Sequence, residues 1–199
     1  MKNKTILISL CMGILSITAC KKEKSTITDS LARRISESEN LEIPAAVNLP
    51  PANSPGGYTR VATYFAEGVQ KYKAQLKAGA PGTYEWVFVA SQANLYDASN
   101  RIVGTHGAGP NWALSPTDSI YGQHFTPAKT VTSPTANSID WLLLMPKAGK
   151  VPTGIFANVA YIQRIATIGG KAPAVLPTSA AETVEVKYTA IYRFTQKNP

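Results

Sequence analysis

The chain has 199 residues, 44% of them hydrophobic, and a formal net charge of +8. This suits one globular domain behind a leader and a tail. Its two cysteines, Cys11 and Cys20, both lie near the N-terminus, so the rest of the chain has no thiol nucleophile, cysteine metal site or disulfide. The positive charges are scattered singly rather than clustered with aromatics, which argues against nucleic acid as a partner.

Residues 1–19 read as a lipoprotein signal peptide. Lys2 and Lys4 supply the positive end, and Ile6 to Ile17 is a mostly apolar stretch too short to span a membrane. Ile17-Thr18-Ala19-Cys20 then forms a short lipobox. Cys20 is the expected lipidation site and the first residue of the mature chain, and several acyl chains hold far more firmly than one. Lys21 follows where an aspartate would favour the inner membrane. The expected address is therefore the cell envelope, lipid-anchored, with the outer membrane favoured over the inner.

Residues 20–57 read as a flexible tether. It opens Lys21-Lys22-Glu23-Lys24, stays polar through Asn40 and ends in Leu49-Pro50-Pro51-Ala52-Asn53-Ser54-Pro55-Gly56-Gly57. A short helix fits Ile27 to Ser38. The stretch is expected to pack few side chains, so that its removal leaves the melting temperature within a few degrees.

From residue 58 to 199 the pattern has period two. Val61 to Ala66 and Val69 to Leu76 read as strands joined near Glu67-Gly68. Tyr84, Trp86 and Phe88 alternate with Glu85 and Val87. Ile139 to Met145 is nearly continuous and apolar, as in a strand covered on both faces. Ile155 to Ile168 is rich in β-branched and aromatic residues and reads mainly as strand. In Glu185 to Phe194, Val186, Tyr188, Ala190, Tyr192 and Phe194 share one face, with Ile191 the exception on the other. Gly/Pro/Asn turn signals punctuate these runs. The fold class that follows is all-β, a single antiparallel β-sandwich or barrel-like domain.

The most unusual local sequence is Gly104-Thr105-His106-Gly107-Ala108-Gly109-Pro110-Asn111-Trp112. It reads as a glycine-rich loop that brings His106 and Trp112 together. Trp86-Val87-Phe88, Ile139-Asp140-Trp141-Leu142-Leu143-Leu144, Tyr161-Ile162-Gln163-Arg164 and Gly169-Gly170-Lys171-Ala172-Pro173 accompany it. In that order these motifs resemble the domain of unknown function 3455 family, secreted or lipidated proteins of bacteria and some fungi. The resemblance runs from Gly68-Val69-Gln70-Lys71-Tyr72 to Tyr188-Thr189-Ala190-Ile191-Tyr192. It implies an all-β domain and no particular reaction. Relatives place cysteines near Ala74 and Thr178; this chain has neither, as if one disulfide were lost as a pair.

His106 with Asp118 or Asp140 has the makings of a general-base pair. The plainer alternative is that its ring fixes the loop, and no nucleophile motif accompanies it. His106 and His124 lie too far apart in sequence to form a readable metal motif, so no metal and no cofactor are expected. Trp86 and Trp141 read as core, whereas Trp112 divides evenly between core and stacking surface. Gln163 and Arg164 must point to opposite faces, and an inward Arg164 would need a carboxylate such as Asp140 or Glu85. His106, Trp112 and Arg164 are the candidate ligand-binding residues, with His106 also the weak catalytic candidate. The expected function is a non-catalytic membrane-anchored β-domain that binds a small molecule, glycan or envelope component. The alternatives are a His-dependent hydrolase-like enzyme and a structural envelope protein.

Overall fold

The structure is a computed structural model and describes residues 25–52 and 56–199. The signal segment and Cys20 lie outside the described residues. Among the described residues no helix is long and apolar enough to cross a membrane.

Eight strands form one closed antiparallel barrel: β1 (Tyr58–Leu76), β2 (Tyr84–Tyr96), β3 (Ile102–Gly107), β4 (Asn111–Ser115), β5 (Asp118–Val131), β6 (Trp141–Pro146), β7 (Val159–Gly169) and β8 (Thr183–Lys197). Each strand pairs with the next, and β8 closes the barrel on β1 from Tyr58↔Lys197 to Lys73↔Thr183. An eight-stranded barrel is just wide enough to be filled by side chains or to hold one small ligand.

The all-β, barrel-like expectation is met, with differences in detail. The two strands read before and after Glu67-Gly68 are one strand. Gly68 pairs with Ala93, and a Cβ there would lie 2.5 Å from the Ala93 Cα, so the glycine serves close backbone approach and not a turn. The stretch Gly104 to Trp112 is no open loop. It is mostly the paired strands β3 and β4 with a tight connection.

Inside the barrel, one end is plugged. Phe156, on a 3-10 turn at Gly154–Phe156, packs on Phe194 with ring centroids 4.8 Å apart. Leu95, Ile120 and Ile162 complete that buried cluster. The other end, toward Gln70, Arg164 and Lys171, is open and lined partly by polar groups.

A second core lies outside the barrel. Helix α1 (Ser25–Glu39) and a 3-10 turn at Ala45–Val47 strap across β1, β6, β7 and β8. Leu31 and Ile35, one helical turn apart, share the face turned to the barrel. Val47 is fully buried. Beneath them lie Phe65, Trp141, Leu143, Ile165 and Ile191, all pointing out of the barrel. The Val47 carbonyl accepts Gln163 Nε2 at 2.9 Å. Arg193 donates to the Ser38 carbonyl and lies 3.4 Å from Glu39, which also meets Arg60 at 2.9 Å. The expectation that residues 20–57 pack few side chains therefore fails over their described part. The outward apolar residues of β1, β6, β7 and β8 need a cover, and this segment supplies it.

Candidate ligand-binding site

The inner half of the site is built by cross-strand pairing. His106 on β3 faces Trp112 on β4, and Trp112 faces Ile120 on β5. The rings of His106 and Trp112 stack with centroids 4.7 Å apart and planes 13° from parallel. Tyr192 on β8 meets the same pair, 4.9 Å from His106 and 5.2 Å from Trp112. Gly122 on β5 makes the room. A Cβ there would stand 3.0 Å from the Trp112 ring.

His106 is 2% exposed and Trp112 is 0% exposed. The imidazole Nδ1–H donates to the Asn111 carbonyl at 2.7 Å, a neutral tautomer. Burial pushes the His106 pKa down from 6.5 to about 4, with the positive charge of Arg164 adding to the effect and the Asn111 bond opposing it. Neither Asp118 nor Asp140 pairs with it. Asp118 sits toward the plugged end, where it accepts from Ser115 Oγ at 2.6 Å and the Ile155 N–H at 3.1 Å. The sequence brings His106 and Trp112 together as expected, but as an inward-facing pair and not as an exposed loop.

Arg164 occupies the outer half. On β7 it lies between Leu142 of β6 and Tyr192 of β8, facing inward, while Gln163 faces the strap. Its Nε and Nη2 both donate to the backbone carbonyl of Asp140, at 3.0 and 2.9 Å. The expected carboxylate partner is absent: among the described residues no ion pair involves Arg164. The Asp140 backbone, not its side chain, orients the guanidinium.

Two chambers meet at Arg164. The inner one, about 250 Å³, reaches His106, Trp112 and Tyr192. The outer one, about 410 Å³, opens between Gln70, Tyr72, Asp140 and Lys171. Phe88, His124, Leu142 and Arg164 border both. Phe88 is 52% exposed and stands at the entrance.

Several groups at this end were read from sequence only as strand residues. Tyr72 donates its hydroxyl to the Gly170 carbonyl at 2.6 Å, and Ser91 donates to Gln70 Oε1 at 3.1 Å. The Gln70 Nε2, Trp112 Nε1 and the hydroxyls of Tyr188 and Tyr192 are buried without a close partner among the described residues, the Tyr188 hydroxyl lying toward Tyr192 and Ser91 and that of Tyr192 toward Arg164. Burial raises the pKa of both tyrosines, and the nearby Arg164 charge works against that rise. The available signal was Tyr188 and Tyr192 on one face of an otherwise apolar strand. Trp86, read as core, is only partly buried and donates Nε1 to the Val175 carbonyl at 2.9 Å. Trp141, also read as core, is buried beneath the strap. Among the described residues no three His, Cys, Asp or Glu side chains gather as a metal site.

A family model described as a protein of unknown function (DUF3455) matches residues 55–196. The chain belongs to the DUF3455 family. Neither a curated protein nor a solved structure matches it. The matched span begins just before β1 and ends inside β8, so it takes in the whole DUF3455 barrel and both chambers but not the strap.

Proposed function

We propose that this DUF3455 protein is a non-catalytic, lipid-anchored binding protein whose barrel mouth receives a small molecule. The observation that carries this reading is the set of buried polar atoms left unpaired around a cavity. Buried donors are nearly always satisfied, and leaving one unmade costs roughly 1–3 kcal/mol. Trp112 Nε1 and the Tyr192 hydroxyl belong to residues lining a space of about 250 Å³, and Gln70 Nε2 to one lining the adjoining chamber of about 410 Å³. Among the described residues the plugged end has no comparable group, and the other unpaired atoms, on Trp141, Thr189 and Arg193, belong to outward-facing residues.

The chemistry at the site favours binding over turnover. A general base works best with a pKa near the working pH. His106 is neutral, buried and committed to the Asn111 carbonyl. Among the described residues no carboxylate orients it. Anchoring rests on the lipobox at Cys20 and its preceding apolar run.

The test uses the mature chain with Cys20→Ser, screened against a small-molecule panel of polar, apolar and charged members by thermal shift. Ala90 lines the inner chamber, so Ala90→Trp should fill it. Ligands that stabilise the parent are expected to lose that effect in Ala90→Trp. Equal shifts in both proteins, or no stabilising compound at all, would remove the mouth as the site.

A further inference from the structure

The polar groups at the mouth are unbalanced in a way that names a ligand class. We propose that the ligand is an organic acid. Its anionic group sits against Arg164, and its apolar or aromatic part enters the inner chamber beside His106 and Trp112. This rests on the reading of the mouth as a small-molecule site.

Three observations lead there. The first is charge. Arg164 faces the barrel interior with no ion pair among the described residues, and an arginine stays protonated at any working pH. Its charge reaches Tyr72, His106, Tyr188 and Tyr192. In the outer chamber Asp140 is offset by Lys171, and His106 is neutral in the inner one. One positive charge therefore remains in excess at the junction, on the partly buried Arg164.

The second is donor excess. Gln70 Nε2 and Trp112 Nε1 can only donate, and both lack acceptors. The Tyr192 hydroxyl lies toward Tyr188 and Arg164, and its own proton is uncommitted among the described residues, so it can donate as well. Arg164 has spent Nε and one N–H of Nη2 on the Asp140 carbonyl, which leaves Nη1 uncommitted and its plane fixed. A preset guanidinium suits a carboxylate, which only accepts. Against these donors stand two acceptors, Nε2 of neutral His106 and the Asp140 carboxylate in the outer chamber.

The third is shape. Beyond Arg164 the inner chamber is bounded by Trp112, Leu142, Leu144 and the Tyr192 ring, with Phe88 at its entrance. These are apolar walls suited to a flat or aliphatic group. A free inorganic anion would leave them wet, so the walls favour an acid with an organic body.

The probes are benzoate, naphthoate and decanoate, each paired with its primary amide, titrated by calorimetry into the mature Cys20→Ser chain. At least one acid is expected to bind at least tenfold more tightly than its amide. Arg164→Gln should erase that preference, Arg164→Lys should keep part of it, and Ala90→Trp should weaken acid and amide together. Equal affinity of every acid and its amide for the parent protein would overturn the anion inference and leave the cavity as a neutral-ligand site. A preference that survives in folded Arg164→Gln would overturn it as well. Binding of neither series, with no hit in the wider screen, would overturn the small-molecule reading itself.

Discussion

Two buried polar regions sit back to back across the β7–β8 wall, and they are resolved in opposite ways. Beneath the strap, Gln163 reaches the Val47 carbonyl and Arg193 reaches Ser38 and Glu39, so the chain completes its own contacts. Two donors, Arg193 Nε and Trp141 Nε1, are left over there among the described residues. In the mouth one residue along, Arg164 has no acid, and Tyr192 next to Arg193 has no partner for its hydroxyl. Neighbouring residues on the same two strands thus separate a region that folding has closed from one that folding has left open. The first is the economy of a structural contact, the second that of a site awaiting a ligand.

The largest expected effect comes from removing the closed side altogether. A chain beginning at Gly56 would bare Phe65, Trp141, Leu143, Ile165 and Ile191. Each fully buried side chain of this size is worth roughly 1.5–3 kcal/mol. The loss should exceed about 5 kcal/mol and lower the melting temperature by more than about 10 °C. Calorimetry of the shortened chain checks this, and a melt within a few degrees of the parent would show that the strap contributes no stability.

The next effect belongs to His106, which folding buries with its Nδ1–H on the Asn111 carbonyl. Its pKa falls from 6.5 to about 4 in the folded protein. Between those values the unfolded chain holds a proton that the folded chain lacks. The His106 contribution is therefore complete above pH 6.5, declines as the pH falls, and levels off below about pH 4. About 1.4 kcal/mol per pH unit is the limiting slope, and the total is on the order of 3 kcal/mol. Denaturant melts between neutral pH and about pH 4.5 should show a steep decline in the parent and a shallower one in His106→Asn. Identical slopes would place the titration elsewhere.

The two arginines test the comparison directly. Arg193→Met takes from the Ser38 carbonyl one of its two donors, the other being the Leu41 N–H at 3.1 Å, and from the Glu39 carboxylate one of its partners, and should cost about 1–3 kcal/mol. Arg164→Met removes a charge that has no ion pair and leaves only the solvent-reachable Asp140 carbonyl, so its cost should stay below about 1 kcal/mol. Urea melts rank them, and the reverse order would mean that Arg164 is the structural member.

Much of this barrel was legible in its sequence, because strands with one wet face alternate. β8 and β2 carried that signature, and the turn residues marked the hairpins. β3, β4 and β5 were not read as strands. Gly104, Gly107, Gly109, Gly122 and Pro127 interrupt their periodicity, and at Gly122 the interruption exists to admit the Trp112 ring. The strap had left its mark too. Ile191 broke the alternation of β8, and Trp141 to Leu144 ran apolar without a break, since both faces of those strands are covered. What could not be read was the cover itself, since a polar, proline-ended segment gives no periodic sign of where Val47 will dock. At the site, local sequence paired His106 with Trp112. Arg164, Gln70 and Tyr192 join them only through barrel closure, which links residues far apart in the chain.

The smallest effect is the sharpest test of which hydroxyls folding needs. Tyr72 and Tyr192 both point their hydroxyls into the open end. Tyr72 gives its proton to the Gly170 carbonyl at 2.6 Å, whereas Tyr192 gives its proton to no group among the described residues. A phenylalanine at either position keeps the ring and its packing and removes one oxygen. At Tyr72 the change leaves the Gly170 carbonyl short of a donor, and about 1 kcal/mol of stability should be lost. At Tyr192 it removes an oxygen that was stripped of water on folding and has no close partner, only the neighbouring Tyr188 and Arg164 side chains. Stability should then hold, or rise by up to about 1 kcal/mol. The same Tyr192→Phe protein should bind the mouth's ligand less well, because the hydroxyl was left for it. A protein more stable and less able to bind is the signature of a group kept for function. If Tyr192→Phe proves as destabilising as Tyr72→Phe, its hydroxyl already has a partner, and the open side of the comparison shrinks to Arg164, Gln70 and Trp112.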